Sequence, residues 1–441
     1  MAICIFYEYD RVTQADLERR LNDAALAQRA FSQLSDMMYV RDDSAEDAFI
    51  TTQAGACIRP STKDGGKAIT FTNYVGTISL ECGVECEILP KIAYNGAPDG
   101  LQQSRNLVVE MLKTCFNIPI KSFQQAQLNT ARLPVFECFI RLFIDEVTSL
   151  YKSGLRAGYV QCEGNERFFK GRLSFSKHVK HNFAHAERFY VTYSIYSFNR
   201  PENRLIKSAL LYLYGKSRDA KNKSDMRRLI CVFDEVEASA NIPADFARCE
   251  TGRAAKYYSR AISLCRVFLA AKSFTPYGGK DRAFALLFAM DKLFECYVAN
   301  KVQSELPLQW KFKKQAKEKY LFDGSGVRTF LLEPDILLRD SAGEGVIIDT
   351  KWKRLCSDAG RNYDISQADM YQMYTYHTRY NNIKMVVLLY PYYSGVEDNM
   401  PEYSCEANGK NVRVVVRFVN LYEVLNGTKK VIESINSGSN L

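Results

Sequence analysis

Glu333–Lys353 reads EPDILLRDSAGEGVIIDTKWK, and this stretch decides the fold. Pro334-Asp335 opens an apolar run, Ile336 to Leu338. A polar, Gly-containing turn spans Asp340 to Gly345, and a second apolar run, Val346-Ile347-Ile348, ends in Asp349-Thr350-Lys351. Aliphatic and β-branched residues flanking an Asp/Ser/Gly loop predict strand, turn, strand. Side chains alternate faces along a strand, so Asp349 and Lys351 project to one side. Pairing of the two strands brings Asp335 beside them. Two carboxylates and an ammonium at strand ends suit a hard divalent cation and a phosphodiester.

Hydrolysis of a phosphodiester needs charge neutralisation, an activated water and a stabilised leaving oxygen. Mg²⁺, or Mn²⁺ in its place, supplies much of this and favours a few carboxylates plus waters. Asp335 and Asp349 are the expected ligands, with the backbone carbonyl of Thr350 as a third donor. Lys351 is expected to orient or help deprotonate the attacking water and to offset transition-state charge. Two outlying elements fit this chemistry. Glu295 borders the apolar stripe of Leu286, Leu287, Met290, Leu293 and Phe294; it reads equally as a surface residue at the stripe's edge and as a further metal-shell group. Gln372 and Tyr376 stand four apart, on one helical face, and so do Gln367 and Tyr371; spacing alone leaves both registers open. A lone Asp-x-Lys is usually a surface ion pair, but here apolar strands, an acidic residue upstream and a Gln/Tyr pair downstream surround it. The segment resembles the nucleases of the PD-(D/E)xK type, and the Gln/Tyr element resembles that of RecB-like nucleases.

The 441 residues are enough for two or three domains. Apolar content of 47% and charged content of 25% are those of a soluble globular protein. No apolar run reaches the roughly 18–20 residues that span a bilayer, so no membrane association is expected. The first residues, MAICIFYEYDRVTQ, lack a basic region followed by an apolar core, so no signal peptide is expected. Thirteen scattered cysteines predict reduced thiols in a cytoplasmic protein. Cys82 and Cys86 lack a second pair at zinc-site spacing and read as buried or strand-edge thiols.

The net charge of +9 is unevenly spread. Residues 1–100 carry a balance of −6, residues 151–200 of +6 and residues 251–300 of +5. An acidic front with basic middle blocks fits contact with both a protein and a polyanion; solvated helix faces account for it equally well.

Organisation along the chain follows from periodicity. Ala68–Phe71, Gly76–Leu80 and Glu87–Ile92 predict strands, the last with Pro90 at an edge. One helix is expected from Gln14 to Met37. From Leu101 the period turns helical (Leu107, Val108, Met111, Leu112, then Phe136, Phe139, Ile140, Phe143). Between about Gly154 and Asn199 it returns to β, predicting an inserted antiparallel arm with a bend at Gly171 and a basic tip near Lys177–His181. Basic and aromatic residues there suit phosphate contact and base stacking, or entry into an acidic protein channel. His178, His181 and His185 stand at helical spacing but lack Cys or paired carboxylates, so surface polar contacts are the expected role. Asn203 is expected to cap a helix through Tyr214, with further helices near 226–239 and 257–274. A long helix from Ala283 to Glu305, strands near Trp310, Phe330, Val346 and Val386, a helix from Ser366 to Tyr380 and a closing strand Val412–Phe418 complete the pattern.

With these residues in view the chain resembles the McrC family, nuclease subunits of McrBC-type restriction systems that act on modified (5-methylcytosine) DNA. The resemblance runs from about Tyr74 to Tyr422. It rests on VGTISL and EILPKI (residues 75–92), FKGRLSF (Phe169–Phe175), PENRLIKSALLYL (Pro201–Leu213), the PD…DxK motif, DMYQMYTY and the strand ending Leu389-Tyr390-Pro391. It implies a multidomain α/β protein: an N-terminal β-rich domain (1–100), a central helical region (101–282) with an inserted β arm (about 154–199), and a C-terminal PD-(D/E)xK restriction-endonuclease-like α/β domain (283–441). It also implies a Mg²⁺-dependent endonuclease acting on double-stranded DNA in antiphage defence. The implied partner is a McrB-like AAA+ GTPase ring, with GTP bound only by that partner and the arm entering the ring's pore. Two other readings stay open: a non-catalytic activator of a AAA+ ring, and a stand-alone RecB-like repair nuclease.

Overall fold

The structure is a computed structural model and describes residues 2–38, 50–51, 54–92, 100–116, 133–249, 257–273, 284–324, 328–393, 402–407 and 409–421. Ala283 and Tyr422, where the expected long helix begins and the family resemblance ends, lie outside the described residues. The chain is mixed α/β with several sheets. It forms two compact units, residues 1–138 with 277–441, and residues 139–276. Among the described residues no helix is long and apolar enough to cross a membrane.

A five-stranded sheet opens the first unit, in the order Ile3–Tyr7, Glu85–Leu89, Tyr74–Ser79, Phe284–Ala289, Ile50–Thr51. Its buried face (Phe6, Ile78, Ile88, Leu287) packs with Leu17, Ala27 and Leu34 of the early helices, and Cys82 and Cys86 join this apolar cluster. Three expectations are corrected here. The early helix is two, Gln14–Leu21 and Ala24–Met37: Asn22 turns left-handed (φ 52°) to end the first, and Asp23 Oδ1 accepts Leu26 N–H (2.9 Å) to start the second. Pro90 lies just past the end of an interior strand instead of on a sheet edge. Phe284–Ala289 is a strand, and the helix begins only at Met290. FALLFA is apolar at every position, so periodicity does not distinguish helix from buried strand; antiparallel pairing with Tyr74–Ser79 settles it. Gly76 makes that pairing possible. At φ 138° a Cβ there would stand 2.1 Å from the Leu286 carbonyl oxygen, which explains the glycine of VGTISL. In EILPKI, Glu87 is fully buried, accepts from Arg105 Nε (3.1 Å), and accepts Val135 N–H (2.8 Å) where helix Val135–Lys152 starts.

The same unit holds a six-stranded mixed sheet, in the order Lys311–Lys314, Ile336–Arg339, Gly345–Thr350, Ile383–Pro391, Lys410–Val419, Glu402–Ala407. Its middle strands run parallel and its flanks antiparallel. Leu337, Ile347, Val386 and Leu388 pack against Met373, Tyr376 and Tyr380 from helix Gln367–Arg379 and its C-terminal end.

In the second unit, strands Gly158–Glu166 and Phe189–Ser197 pair antiparallel along their whole length, with short Arg172–Leu173 beside them. Gly171 (φ 69°) leaves space that a Cβ would lose, 2.3 Å from the Thr192 carbonyl. The basic stretch expected as a β tip is instead the helix Phe175–Asn182. The histidines have separate partners: within the helix His178 Nδ1 faces Asn182 Nδ2 and Tyr190 N and His181 stacks on Tyr190, and beyond its end His185 pairs with Glu187. The helix expected near 226–239 spans Ala220–Val232, started by Asp219 Oδ1 accepting Asn222 N–H (2.7 Å); its polar first turns hid it from periodicity. Asn203 is not a cap. It sits inside helix Pro201–Lys216, fully buried. Its amide donates to the carbonyls of Arg156 (3.0 Å) and Phe198 (2.8 Å), which flank the outer ends of the two arm strands, and its oxygen accepts Tyr258 O–H (2.9 Å).

A buried carboxylate adds to the pH sensitivity expected of the first unit. Glu8 is 3% exposed and accepts from Lys91 N–H; burial, only partly opposed by the Lys91 charge, pushes its carboxyl up to about 7. A raised carboxylate contributes its full stability below the ordinary value of 4.5 and loses it as pH rises through about 7. Glu8 alone is expected to lower the stability of the first unit between pH 5 and pH 8 by about 2–3 kcal/mol, read as a fall in melting temperature. Calorimetry on Glu8→Gln checks this: the slope flattens, and an unchanged slope refutes the assignment.

Candidate active site

The motif hairpin pairs Ile336 with Ile348, Leu337 with Ile347 and Leu338 with Val346. That register sets Asp335 and Asp349 opposite each other, one residue beyond the last paired positions. The turn is closed by Asp340, whose N–H donates to Glu344 O (2.9 Å) and whose Oδ1 accepts Glu344 N–H (2.9 Å). Asp335 Oδ2 accepts both the N–H (2.7 Å) and the O–H (2.6 Å) of Thr350, which fixes the carboxylate toward the second strand. Asp349 is only 2% exposed.

Lys351 closes the group. Its N–H donates to Leu389 O (2.9 Å), so it is held at the end of the parallel pair Gly345–Thr350/Ile383–Pro391. Its ammonium lies 2.7 Å from Asp349 Oδ2 and donates to Gln372 Oε1 (2.9 Å). Gln372 Nε2 in turn donates to Tyr376 O–H (2.8 Å). Gln367 and Tyr371 are hydrogen-bonded to each other (2.6 Å) on the exposed side. Of the two Gln/Tyr registers, Gln372/Tyr376 is therefore the one that meets the motif lysine.

Glu295 is buried (6% exposed) on helix Met290–Glu305, so the surface reading is corrected. It accepts Gln315 Nε2 (2.9 Å), and Gln315 N–H donates to Asp335 O (2.8 Å). Gln315 thus links Glu295 to the Asp335 backbone. Gln315 belongs to no motif; Asp369, the first residue of DMYQMYTY, is buried and pairs with Lys353 (2.6 Å), a contact the sequence does not record.

The electrostatics follow from burial and like charge. Burial, then the Asp335 charge, pushes the Asp349 carboxyl up to about 7. Burial raises Asp335 too, against the two bonds from Thr350, and burial with the Asp335 charge raises Glu295. Burial alone would lower Lys351, but Asp349, Asp369 and Asp335 outweigh it and hold the ammonium above its usual range. The Lys351 ammonium thus faces a mutually repelling carboxylate pair. Among the described residues no three His, Cys, Asp or Glu side chains form a ready-made metal cage. A pair of carboxylates with a neighbouring backbone carbonyl suits Mg²⁺, which keeps several waters, better than it suits zinc.

The family model described as McrBC 5-methylcytosine restriction system component matches residues 69–391. The chain belongs to the McrBC family. The match takes in the glycine of VGTISL, EILPKI, the arm, Asn203 and the whole carboxylate group, and leaves residues 1–68 and 392–441 outside. No curated protein sequence matches this McrBC-family chain. Its fold is similar to a solved chain from Thermococcus gammatolerans, at TM-score 0.69 and 17% identity over 99% of both chains. That structure is a half-complex from a tetradecameric assembly of McrB AAA+ hexamers with bound McrC. A second, the cryo-EM structure of the Thermococcus gammatolerans McrBC complex, aligns over 71% of this chain and 89% of that one at 17% identity and TM-score 0.46.

Proposed function

We propose that this McrBC-family chain is the DNA-cutting subunit of a restriction complex, a PD-(D/E)xK endonuclease that works with a AAA+ GTPase ring. The observation that carries the reading is the convergence of Asp335, Asp349 and Lys351 at adjoining strand ends, with Gln372 on the lysine. The ring partnership is supported by the family and by the similar chain that is bound to McrB hexamers.

Asp335, Asp349 and the Thr350 carbonyl would hold Mg²⁺, with Glu295 behind Asp335. When bound, Mg²⁺ supplies Lewis acidity toward the phosphate and toward a water. The chain's own residues do the rest. Thr350 fixes the Asp335 carboxylate through two hydrogen bonds. Lys351, held protonated by its carboxylate neighbours, presents a cation to the phosphate and a donor that orients the attacking water, offsetting charge as the transition state forms. Gln372 occupies one donor of that ammonium and fixes its direction, and Tyr376 fixes Gln372. The arm of the second unit, with Tyr159, Phe168, Phe175 and Phe183 exposed at its surface, is the segment assigned to the ring. GTP is used by that partner, and double-stranded DNA is the substrate.

Gln372→Ala is expected to slow DNA cleavage about 10–100-fold, because Lys351 loses its orienting partner. Tyr371→Phe is expected to cut at the wild-type rate. Single-turnover cleavage by the reconstituted complex compares them; equal effects of the two substitutions would sink this site. Co-purification of a P-loop GTPase with the chain from its native cell tests the partnership.

A further inference from the structure

Trp352, the residue after Lys351, is gripped from the N-terminal sheet. The strand pair Ile3–Tyr7/Glu85–Leu89 continues one step, Glu8 N–H to Leu89 O (3.0 Å), and this sets Glu8 and Lys91 side by side. Lys91 N–H donates to Glu8 Oε2 (3.0 Å), and Lys91 Nζ donates to the Trp352 carbonyl (3.0 Å). The indole N–H of Trp352 is shared between the two carboxylate oxygens of Glu8 (3.1 and 3.0 Å). The ammonium also lies 4.6 Å from the Tyr9 ring centroid. Trp352 is 5% exposed, and its ring packs 5.3 Å from Phe294, the neighbour of Glu295. Main chain and side chain are therefore both held at the residue after the motif lysine, and the same ring abuts the residue before Glu295.

A buried Glu beside a half-buried Lys is a poor way to gain stability, since desolvation offsets their attraction and an apolar pair would serve as well. They are a good way to fix direction, because hydrogen bonds have preferred angles and packing alone does not. We propose that Lys91 and Glu8 are positioning residues for Lys351, acting through Trp352, so that the N-terminal sheet sets the aim of the ammonium. Lys351 is then fixed on both sides: by Leu389 O at its own N–H, and by the Lys91–Glu8 clamp one residue on. This rests on the reading of Asp335, Asp349 and Lys351 as a phosphodiester-cleaving centre. It gives EILPKI two duties, Glu87 anchoring helices and Lys91 aiming the site.

The test uses the full chain with its ring partner and Mg²⁺. Lys91→Met and Glu8→Gln are each expected to lower the single-turnover cleavage rate about 10–100-fold and to move its pH profile. Ring binding, stimulated GTP hydrolysis and fold are retained, and Lys91→Arg restores part of the rate. Trp310 and Trp352 are the two tryptophans of the chain, so in a Trp310→Phe background the emission of Trp352 reports the clamp directly; it is expected to shift in Lys91→Met. Wild-type cleavage rate and pH profile in both variants overturn the positioning role. So does a rate loss that tracks loss of folded protein, which marks the clamp as structural only. A wild-type chain that cuts no DNA overturns the nuclease reading itself and is told apart by that control.

Discussion

Asp349→Ala is expected to lower DNA cleavage by at least about 10³-fold while the stimulation of GTP hydrolysis in the partner ring is unchanged. The side chain is almost wholly buried, beside a second carboxylate and 2.7 Å from the motif ammonium. Its loss removes one of the two carboxylates expected to bind the metal and the nearest of the counter-charges that hold Lys351 protonated. Stability is expected to move the other way. The carboxyl is pushed up to about 7 from an ordinary 3.8, so the stability it contributes is complete below 3.8 and is lost as pH rises through about 7. Asp349→Asn, which cannot ionise, should therefore melt no lower than wild type at pH 8 despite its lost activity. Cleavage, GTP hydrolysis and melting must be measured on one preparation. Persistent cutting sinks the metal assignment; loss of both activities with the fold intact sinks the separation of cutting from ring stimulation.

The candidate site was legible in the sequence because its constraints are local. Asp335, Asp349 and Lys351 lie within seventeen residues, and strand alternation with a short turn is enough to bring them together. The Gln/Tyr pair was legible as a helix face but not in its register. Gln372 and Tyr371 are adjacent, and the choice between them depends on how helix Gln367–Arg379 rolls on the sheet, through Met373, Tyr376 and Tyr380. Glu295 and Gln315 meet only because a helix and a strand edge pack together, and no spacing records that. The fold failed at similar points. FALLFA carries no period, and the strand assignment depends on a partner some two hundred residues away. Asn203 reads as a cap because Asn near a helix start usually is one; its burial among Arg156, Phe198 and Tyr258 is a tertiary fact. The glycines of VGTISL and FKGRLSF could be listed as motif letters, but the carbonyls that exclude a side chain at Gly76 and Gly171 come from strands paired in space.

Asn203→Ala is expected to damage the second unit strongly, lowering its stability by about 2–4 kcal/mol. The amide ties together the carbonyls of Arg156 and Phe198, which bracket the arm strands Gly158–Glu166 and Phe189–Ser197, while Tyr258 O–H donates to its oxygen and accepts Arg156 N–H (2.8 Å). Alanine removes one donor from each of two half-buried carbonyls, of which that of Phe198 still accepts Arg200 N–H (2.7 Å), and leaves the Tyr258 hydroxyl without its acceptor; each uncompensated group costs about 1–3 kcal/mol. The losses fall within one network and so do not simply add. Tyr258→Phe, which loses one hydroxyl and keeps the ring, should cost less, about 1–2 kcal/mol. The expected signature is regional. Amide exchange should quicken throughout the two arm strands, while the six-stranded sheet around Asp349 keeps its protection. Because the arm is the segment assigned to the ring, Asn203→Ala should also lose stimulation of GTP hydrolysis with the Asp335, Asp349 and Lys351 group intact. Hydrogen exchange on the free chain and GTP hydrolysis on the complex decide it together. Unchanged exchange in the arm strands would show that Asn203 does not hold their base. Quickened exchange with full GTP stimulation would place the ring contact elsewhere in the chain.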